Sequence, residues 1–463
     1  MKKSIIRSSW LAKGGYRLDC SPYLGGALET EMLLDELSVR KDLLSAVTSD
    51  IFNGPKFSRT YVEDPKNGVP FLGGSSLQQS DFINLPLLSN ERAHSKQLRH
   101  LEIKRGMTLI SCTGTIGKLA YAREEMEGMW SSQHIMKVVP DEAKILPGYL
   151  YAYLSSKFGI PLIIAGTYGS IIQSIEPHHI AGLPVPRFGK ALEQKIHNLI
   201  DEAGKLRSEA SSEITNSTEF LRKKLNLPFL NNKDVRGFGV NVINSSNLNS
   251  RLDATYHSHA AMQACAALER CSVPVKSLSS VTARLFKPPM FKRLWVNKPK
   301  EGIQFISGID AYNYEADVKR YVSHRTPKLE EFIVKEGWII FQAAGQIYGL
   351  FGRPLLTVGW LNGLFVADDM YRIVPNNMTD GGYLTAFFRT DVGEVLIKRQ
   401  STGNSIPRVW DPQMNQIRVP WPSDKVREEI GLSVIDAHRK IERALKNDHR
   451  AIQLIEAAIE NRL

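Results

Sequence analysis

The chain has 463 residues, too many for one ordinary domain and enough for roughly two to four. Lysine and arginine outnumber aspartate and glutamate by 59 to 48, a net charge of +11. Such an excess points to a polyanionic partner, nucleic acid or an anionic membrane surface, unless it is only a solvated basic face. With 43% hydrophobic residues the chain is not disordered. No apolar run approaches the roughly 18 residues of a membrane span. The best, Ile160 to Ile172, is broken by Pro161, Gly166 and Gly169. The start, Met1-Lys2-Lys3, lacks a signal-peptide core because Arg7, Ser8 and Ser9 interrupt it. The cysteines (Cys20, Cys112, Cys265, Cys271) include no C-x-x-C pair and make no disulfide framework. A reduced, cytoplasmic protein with no membrane contact is expected.

In chain order, the first expected domain covers 1–188. After Arg17-Leu18-Asp19 come short β-rich runs between turns, such as Met107-Thr108-Leu109-Ile110-Ser111, and a helical piece near 147–158. The domain closes on Leu183-Pro184-Val185-Pro186, prolines that cannot continue a sheet interior. Residues 189–228 read as one long helix. There Leu192, Ile196, Leu199, Ala203, Leu206, Ala210 and Ile214 alternate steps of four and three, and Leu221 and Leu225 continue the seam. Residues 190–226 of it, at 1.5 Å per residue, would run about 55 Å. An Asn-, Ser- and Gly-rich stretch from Asn231 to Asn249 joins the halves.

The second domain, 229–422, repeats the first. Arg251-Leu252-Asp253 stands 234 residues after Arg17-Leu18-Asp19. At that offset Val47-Thr48 meets Val281-Thr282, Phe52 meets Phe286, Phe57 meets Phe291 and Arg59 meets Arg293. Tyr61 and Phe71 likewise meet Trp295 and Phe305. The offset slips to 231 where Gly114-Thr115-Ile116 meets Gly345-Gln346-Ile347, then returns to 234 for Gly148-Tyr149-Leu150 and Gly382-Tyr383-Leu384. Strands at Trp338–Phe341 and Tyr371–Val374, a helical piece near 381–398 and the stop Val419-Pro420-Trp421-Pro422 complete the copy. Residues 423–463 form the second long helix, with Val426, Ile430, Val434, Ala437, Ile441, Leu445, Ile452, Ile455 and Ile459 on its seam. A polar helix with one thin apolar seam needs a partner of similar length. The expected fold is α+β: two tandem globular domains, separated and followed by long helices that pair as an antiparallel coiled coil. Docking of each helix on its own domain is the other arrangement.

Catalytic motifs fail. Gly114-Thr115-Ile116-Gly117-Lys118 suggests a phosphate loop, but position 112 is Cys where Gly is needed and Leu119 follows where Ser or Thr should. Asp411-Pro412-Gln413-Met414 matches only the first half of an amino-methyltransferase tetrapeptide. No glycine-rich dinucleotide fingerprint follows a strand. His178-His179 and the scattered cysteines lack zinc spacing, so these histidines read as loop or surface residues. No chemistry, cofactor or metal of the chain's own is expected.

Basic and polar loops that recur in both halves are the candidates for binding. Phe52 to Arg59 and Phe286 to Arg293 set cations among aromatics on proline-stiffened loops, with Lys56, Arg59, Lys287, Lys292 and Arg293 able to reach phosphates. A second loop carries Thr167, Tyr168, Ser170 and Gln173, twinned with Thr402, Asn404, Ser405 and Arg408. A third carries Thr113, Thr115 and Lys118, twinned with Gln342, Gln346 and Tyr348. Such side chains address phosphates and base edges; ordinary turns would hold the same residues. The framework agrees between halves while the polar residues differ, as two readers of different short sequences would require.

In this order of motifs the chain resembles the specificity (S) subunit of type I restriction–modification systems. The residues that carry the likeness are the paired Arg-Leu-Asp segments, Gly114 to Lys118, Gly169-Ser170-Ile171-Ile172-Gln173-Ser174-Ile175, and Leu-Pro-Val-Pro before the Glu193-Gln194-Lys195-Ile196 helix. The resemblance implies two target recognition domains that each read half of a split double-stranded DNA site, and helices that act as a ruler. It implies two methyltransferase (modification) subunits that bring S-adenosylmethionine chemistry to adenine N6. Restriction/translocase subunits would bring ATP and Mg2+. The second half departs at Gln346-Ile347-Tyr348 and Pro407-Arg408, so its contacts follow less directly. A piece of a type IIG-like nuclease–methyltransferase would instead bind S-adenosylmethionine alone, and a coiled-coil adaptor would ignore salt and DNA.

Overall fold

In the computed structural model the described residues are 6, 8–13, 16, 23, 25–83, 85–168, 173–230, 240–245, 248, 251–315, 320–347, 349–403 and 405–462. Arg17-Leu18-Asp19 and most of the 231–249 linker lie outside them. The chain divides into two compact units, residues 1–208 with 443–463 and residues 209–442, so the division falls inside both long helices.

The first unit is α+β. Its strands are β1 (Lys41–Leu43), β2 (Thr48–Phe52), β3 (Tyr61–Val62), β4 (Gly68–Leu72), β5 (Leu87–Ser89), β6 (Thr108–Ser111), β7 (Leu119–Tyr121), β8 (Trp130–Ser131), β9 (Ile135–Pro140) and β10 (Pro184–Pro186). They form one sheet in the order β2-β9-β6-β7, a second in the order β3-β5-β4-β8, and the pair β1-β10. Helices α1 (Ala27–Glu36), α2 (Pro147–Leu154), α3 (Gly159–Ala165) and α4 (Pro177–Ala181) pack beside them. The long helix α5 (Lys190–Lys224) begins in this unit. The central strand β9 is buried almost throughout, which suits its Ile-Met-Lys-Val-Val run between two neighbours.

The second unit repeats this plan. Strands β11 (Val275–Ser277), β12 (Thr282–Phe286), β13 (Trp295–Val296), β14 (Gly302–Ile306), β15 (Tyr321–Ser323), β16 (Ile339–Gln342), β17 (Leu355–Leu356), β18 (Phe365–Val366), β19 (Met370–Pro375) and β20 (Arg418–Pro420) form sheets β12-β19-β16-β17 and β13-β15-β14-β18 and the pair β11-β20. Even the irregularities recur. The β2–β9 register slips between Thr48 and Asp50, and β12–β19 slips between Thr282 and Arg284. Among the described strands the parallel pairs are β4–β8 in one copy and β14–β18 in the other. Helices α6 (His259–Glu269), α7 (Met378–Phe388), α8 (Asp391–Arg399) and α9 (Asp411–Asn415) precede the second long helix, α10 (Asp424–Ile459).

The proline segments form the short strands β10 and β20, neither of them in a sheet interior. Each lies in a ladder of only two strands, where a missing N–H is tolerated. A tyrosine on the facing helix secures each: Tyr149 donates its hydroxyl to the Pro186 carbonyl, and Tyr383 donates to Pro420 at 2.6 Å.

The two long helices run antiparallel within each unit. In the first, Ile196 and Ile200 of α5 share a core with Ala451, Leu454 and Ile455 of α10, while Ala203 and Leu206 meet Ala444. In the second, Ala210 and Ile214 meet Ala437, and Ser217 donates to Ser433 at 2.8 Å. Each buried Ile or Leu contributes about 1.5–3 kcal/mol. Both readings of the seam therefore hold together: the helices pair, and each end also docks on a globular core.

Glycines set the closest approach. A Cβ on Gly382 would lie 2.4 Å from the Gly431 carbonyl oxygen of α10, where only backbone could yield. Gly382→Ala should therefore destabilise the protein by about 1–3 kcal/mol. A thermal melt of the second unit within 1 °C or so of wild type, a shift of only about 0.3–0.5 kcal/mol for a unit this size, would refute this contact.

Candidate nucleic-acid interface

Two of the three candidate loops are knitted together in each copy. In the first, Gly114 N–H donates to the Gln173 carbonyl at 3.0 Å and Ile175 N–H to Cys112 at 3.0 Å. Thr113 and Tyr168 each bridge to Ser174. In the second, Gly345 N–H donates to Pro407 at 3.1 Å and Val409 N–H to Ala343 at 3.0 Å, with Ala344 and Thr402 bridged to Arg408. The two lattices match residue for residue. Gly114 (φ 78°) and Gly345 (φ 134°) both take left-handed backbone, the conformation glycine enters freely.

A turn that the sequence did not single out joins them. Cys112 N–H donates to His134 at 2.9 Å, and Ala343 N–H donates to Asp369 at 2.8 Å. The turn is Gln133-His134 before β9 and Asp368-Asp369 before β19. The basic loop meets this turn through its arginine. Arg59 Nη2 donates to Gln133 Oε1 at 3.3 Å, and Arg293 Nη2 lies 3.6 Å from Asp368 Oδ1. The loop is also tied to the far end of the second loop: Asn53 donates to Glu176 at 3.0 Å, and Lys287 N–H donates to Asp411 at 3.1 Å.

Lys56, Arg59, Thr115, Tyr168 and Gln173 are exposed, and Thr113 and Lys118 are half-buried. Thr167 turns inward instead, buried with its hydroxyl on the Ile164 carbonyl. In the second copy Lys292, Arg293, Gln346 and Ser405 are exposed, while Lys287, Gln342, Thr402 and Arg408 are half-buried. Gln342 Nε2 donates to the Ala344 carbonyl at 2.8 Å, so it braces its own loop. Gln346 Nε2 donates to the Ser405 carbonyl at 3.3 Å. Ser170, Tyr348 and Asn404 lie outside the described residues. Trp410, 43% exposed, stands beside Lys287, whose Nζ lies 5.2 Å from its ring centre; no repeated pattern marked it.

Two cations set the field at His134. Burial and then the charges of Arg59 and Lys56 hold the His134 imidazole below its usual range, so it stays neutral near pH 7. Position 134 is Asp369 in the second copy, and position 133 is Asp368, so the second cluster mixes acceptors with its cations. His179 accepts from Glu176 N–H at 2.9 Å and completes a capping box on α4, a structural role for that histidine. Among the described residues no group of three or more His, Cys, Asp or Glu is placed to hold a metal ion. No helix among them is long and apolar enough to cross a membrane.

No protein-family model matches the chain, and no curated protein matches it. Solved structures similar to it include two specificity subunits. One is a type I restriction–modification S subunit from M. genitalium, at 13% identity and TM-score 0.36, covering 92% of this chain and 96% of that one. Another is the HsdS subunit from Thermoanaerobacter tengcongensis, at 9% identity and TM-score 0.28, covering 92% and 97%. A third comes from work on complex assembly and conformational transition of the type I restriction–modification system, at 11% identity and TM-score 0.29, covering 92% and 98%.

Proposed function

We propose that the chain is a DNA-specificity subunit of a type I restriction–modification complex, reading a two-part duplex target with one loop cluster per copy. The observation that carries this reading is the repeated lattice: the same backbone bonds hold two clusters whose exposed side chains differ. Thr115, Tyr168 and Gln173 are exposed in one copy, and Gln346, Ser405 and Lys292 in the other. Two short sequences read on one scaffold would require such a difference. Half-buried and exposed Arg, Lys, Gln and Thr are suited to phosphates and base edges.

On this reading the chain performs no catalysis itself and works in the cytoplasm. Two modification subunits supply S-adenosylmethionine chemistry at adenine N6, and restriction subunits, where present, supply ATP- and Mg2+-dependent cleavage. The paired helices set the spacer between the two half-sites. Adding one heptad to each helix at facing positions adds about 10 Å, or about three base pairs. Methylome sequencing of cells carrying the complex should show a two-part adenine motif, and the lengthened variant should keep both parts with a longer gap. A single contiguous motif would overturn the specificity reading, and an unchanged gap would overturn the ruler.

A further inference from the structure

We propose that Arg59 and Arg293 are guanine-reading side chains, one in each copy, held in place by an aromatic platform and a braced turn. The proposal rests on the DNA-specificity reading above and narrows it, since loop cations of this kind are otherwise only phosphate contacts.

The same device is built twice. Arg59 Cζ lies 5.4 Å from the centre of the Phe71 ring, and Arg293 Cζ lies 5.5 Å from that of Phe305. Each platform is itself wedged edge-on. Phe57 and Tyr61 stand against Phe71 at 6.1 and 6.0 Å, and Trp295 stands against Phe305 at 5.1 Å. On the other side the guanidinium meets the turn, at Gln133 in one copy and Asp368 in the other. A buried cation lies beside the turn in each copy, bonded to the first residue of β9 in one and to carbonyls on both sides of the turn in the other. Lys137 Nζ donates to the Ile135 carbonyl at 3.1 Å. Arg372 donates to Val366 at 2.7 Å, to Ala367 at 3.0 Å and to Met370. Lys137 and Arg372 occupy matching places, opposite Phe52 and Phe286 in their sheets.

A guanidinium has five donors in a fixed fork. One side is spent on the turn and one face on the ring, yet Arg59 is exposed and the Arg293 side chain is 46% exposed. The remaining donors match guanine O6 and N7, the commonest bidentate base contact. Restraint of this kind matters for a base edge, where plane and angle must both fit. A phosphate accepts a charge from many directions and gains little from it. The other loop cations behave as phosphate contacts would: Lys56 becomes Met290 and Ser58 becomes Lys292 between copies, so charge moves along the loop while the arginine stays.

The test is enrichment of a randomised duplex library by the purified full chain, wild type against Arg59→Lys, Arg59→Ala and Arg293→Lys. Wild type should enrich a two-part sequence with guanine at a fixed place in each part. Arg59→Lys and Arg59→Ala should lower guanine preference at that place in one part by about 10- to 100-fold and leave the other part intact. Arg293→Lys should do the reverse, so each variant carries its own folding control. If Arg59→Ala instead weakens all sequences equally and lowers the salt slope by about one, the arginine is a phosphate contact and the proposal falls while DNA reading stands. If wild type enriches nothing, the proposal falls together with the reading beneath it.

Discussion

Asp448→Ala should cost about 3–5 kcal/mol, the range for removing one partner of a buried ion pair. Arg207 Nη2 and Asp448 Oδ2 lie 2.6 Å apart between α5 and α10 in the first unit, with side chains only 7% and 6% exposed. The same stretch of the seam carries the apolar cluster of Ala203, Leu206 and Ala444. The combined change Arg207→Met with Asp448→Leu removes both charges and fills the volume, and should be neutral or stabilising by up to about 4 kcal/mol. Denaturant midpoints of wild type, single and double variants separate these outcomes. A single variant within about 1 kcal/mol of wild type, the range of exposed pairs, would mean that water reaches the pair.

Much of the fold was legible because duplication compares a chain with itself. Phe52 and Phe286, Tyr149 and Tyr383, and Gly148 and Gly382 keep their spacing because strand pairing and helix approach tolerate few other residues there. The thin seams of the long helices were equally plain, since a period of three and four survives in any polar helix with one buried stripe. What the sequence hid was whatever depends on contact between distant loops. The bonds from Gly114 to Gln173 and from Cys112 to His134 join segments that no local pattern connects. Gln133-His134 and Asp368-Asp369 went unnoticed because their chemistry differs between copies, which is what a reading position would show. Thr167 pointed the other way: it has the polar type of a contact residue but closes the turn after α3. Lys137 and Arg372 escaped for a third reason. The offset is 235 along β9 and β19, and a lone cation in a strand reads as solvent-facing.

That buried lysine gives the second large effect, a dependence of stability on pH. Lys137 is fully buried, and burial pushes its ammonium down to about 7 from 10.5; the Cys112 thiol beside it, itself pushed up by burial, offsets this only in part. Its charge in turn adds to burial in holding the nearby His100 imidazole low, while Asp50 acts the other way. Below pH 7 the lysine is charged in both folded and unfolded chains, and the cost of burying the charge is fully present. Between pH 7 and 10.5 the unfolded chain keeps a proton that the folded chain has released, so stability rises by about 1.4 kcal/mol per pH unit from this group. Lys137→Met removes the rise. The variant should be the more stable protein at pH 7, and the two curves should converge as pH approaches 10.5. Parallel curves from denaturation at pH 7, 8, 9 and 10 would show that the ammonium is solvated. The same substitution removes the bond from Nζ to the carbonyl of Ile135, the residue that follows the 133–134 turn. A variant that gains stability while losing guanine preference in one part of the target would show why an expensive cation sits there: its cost to folding is set against the fixed position of Arg59.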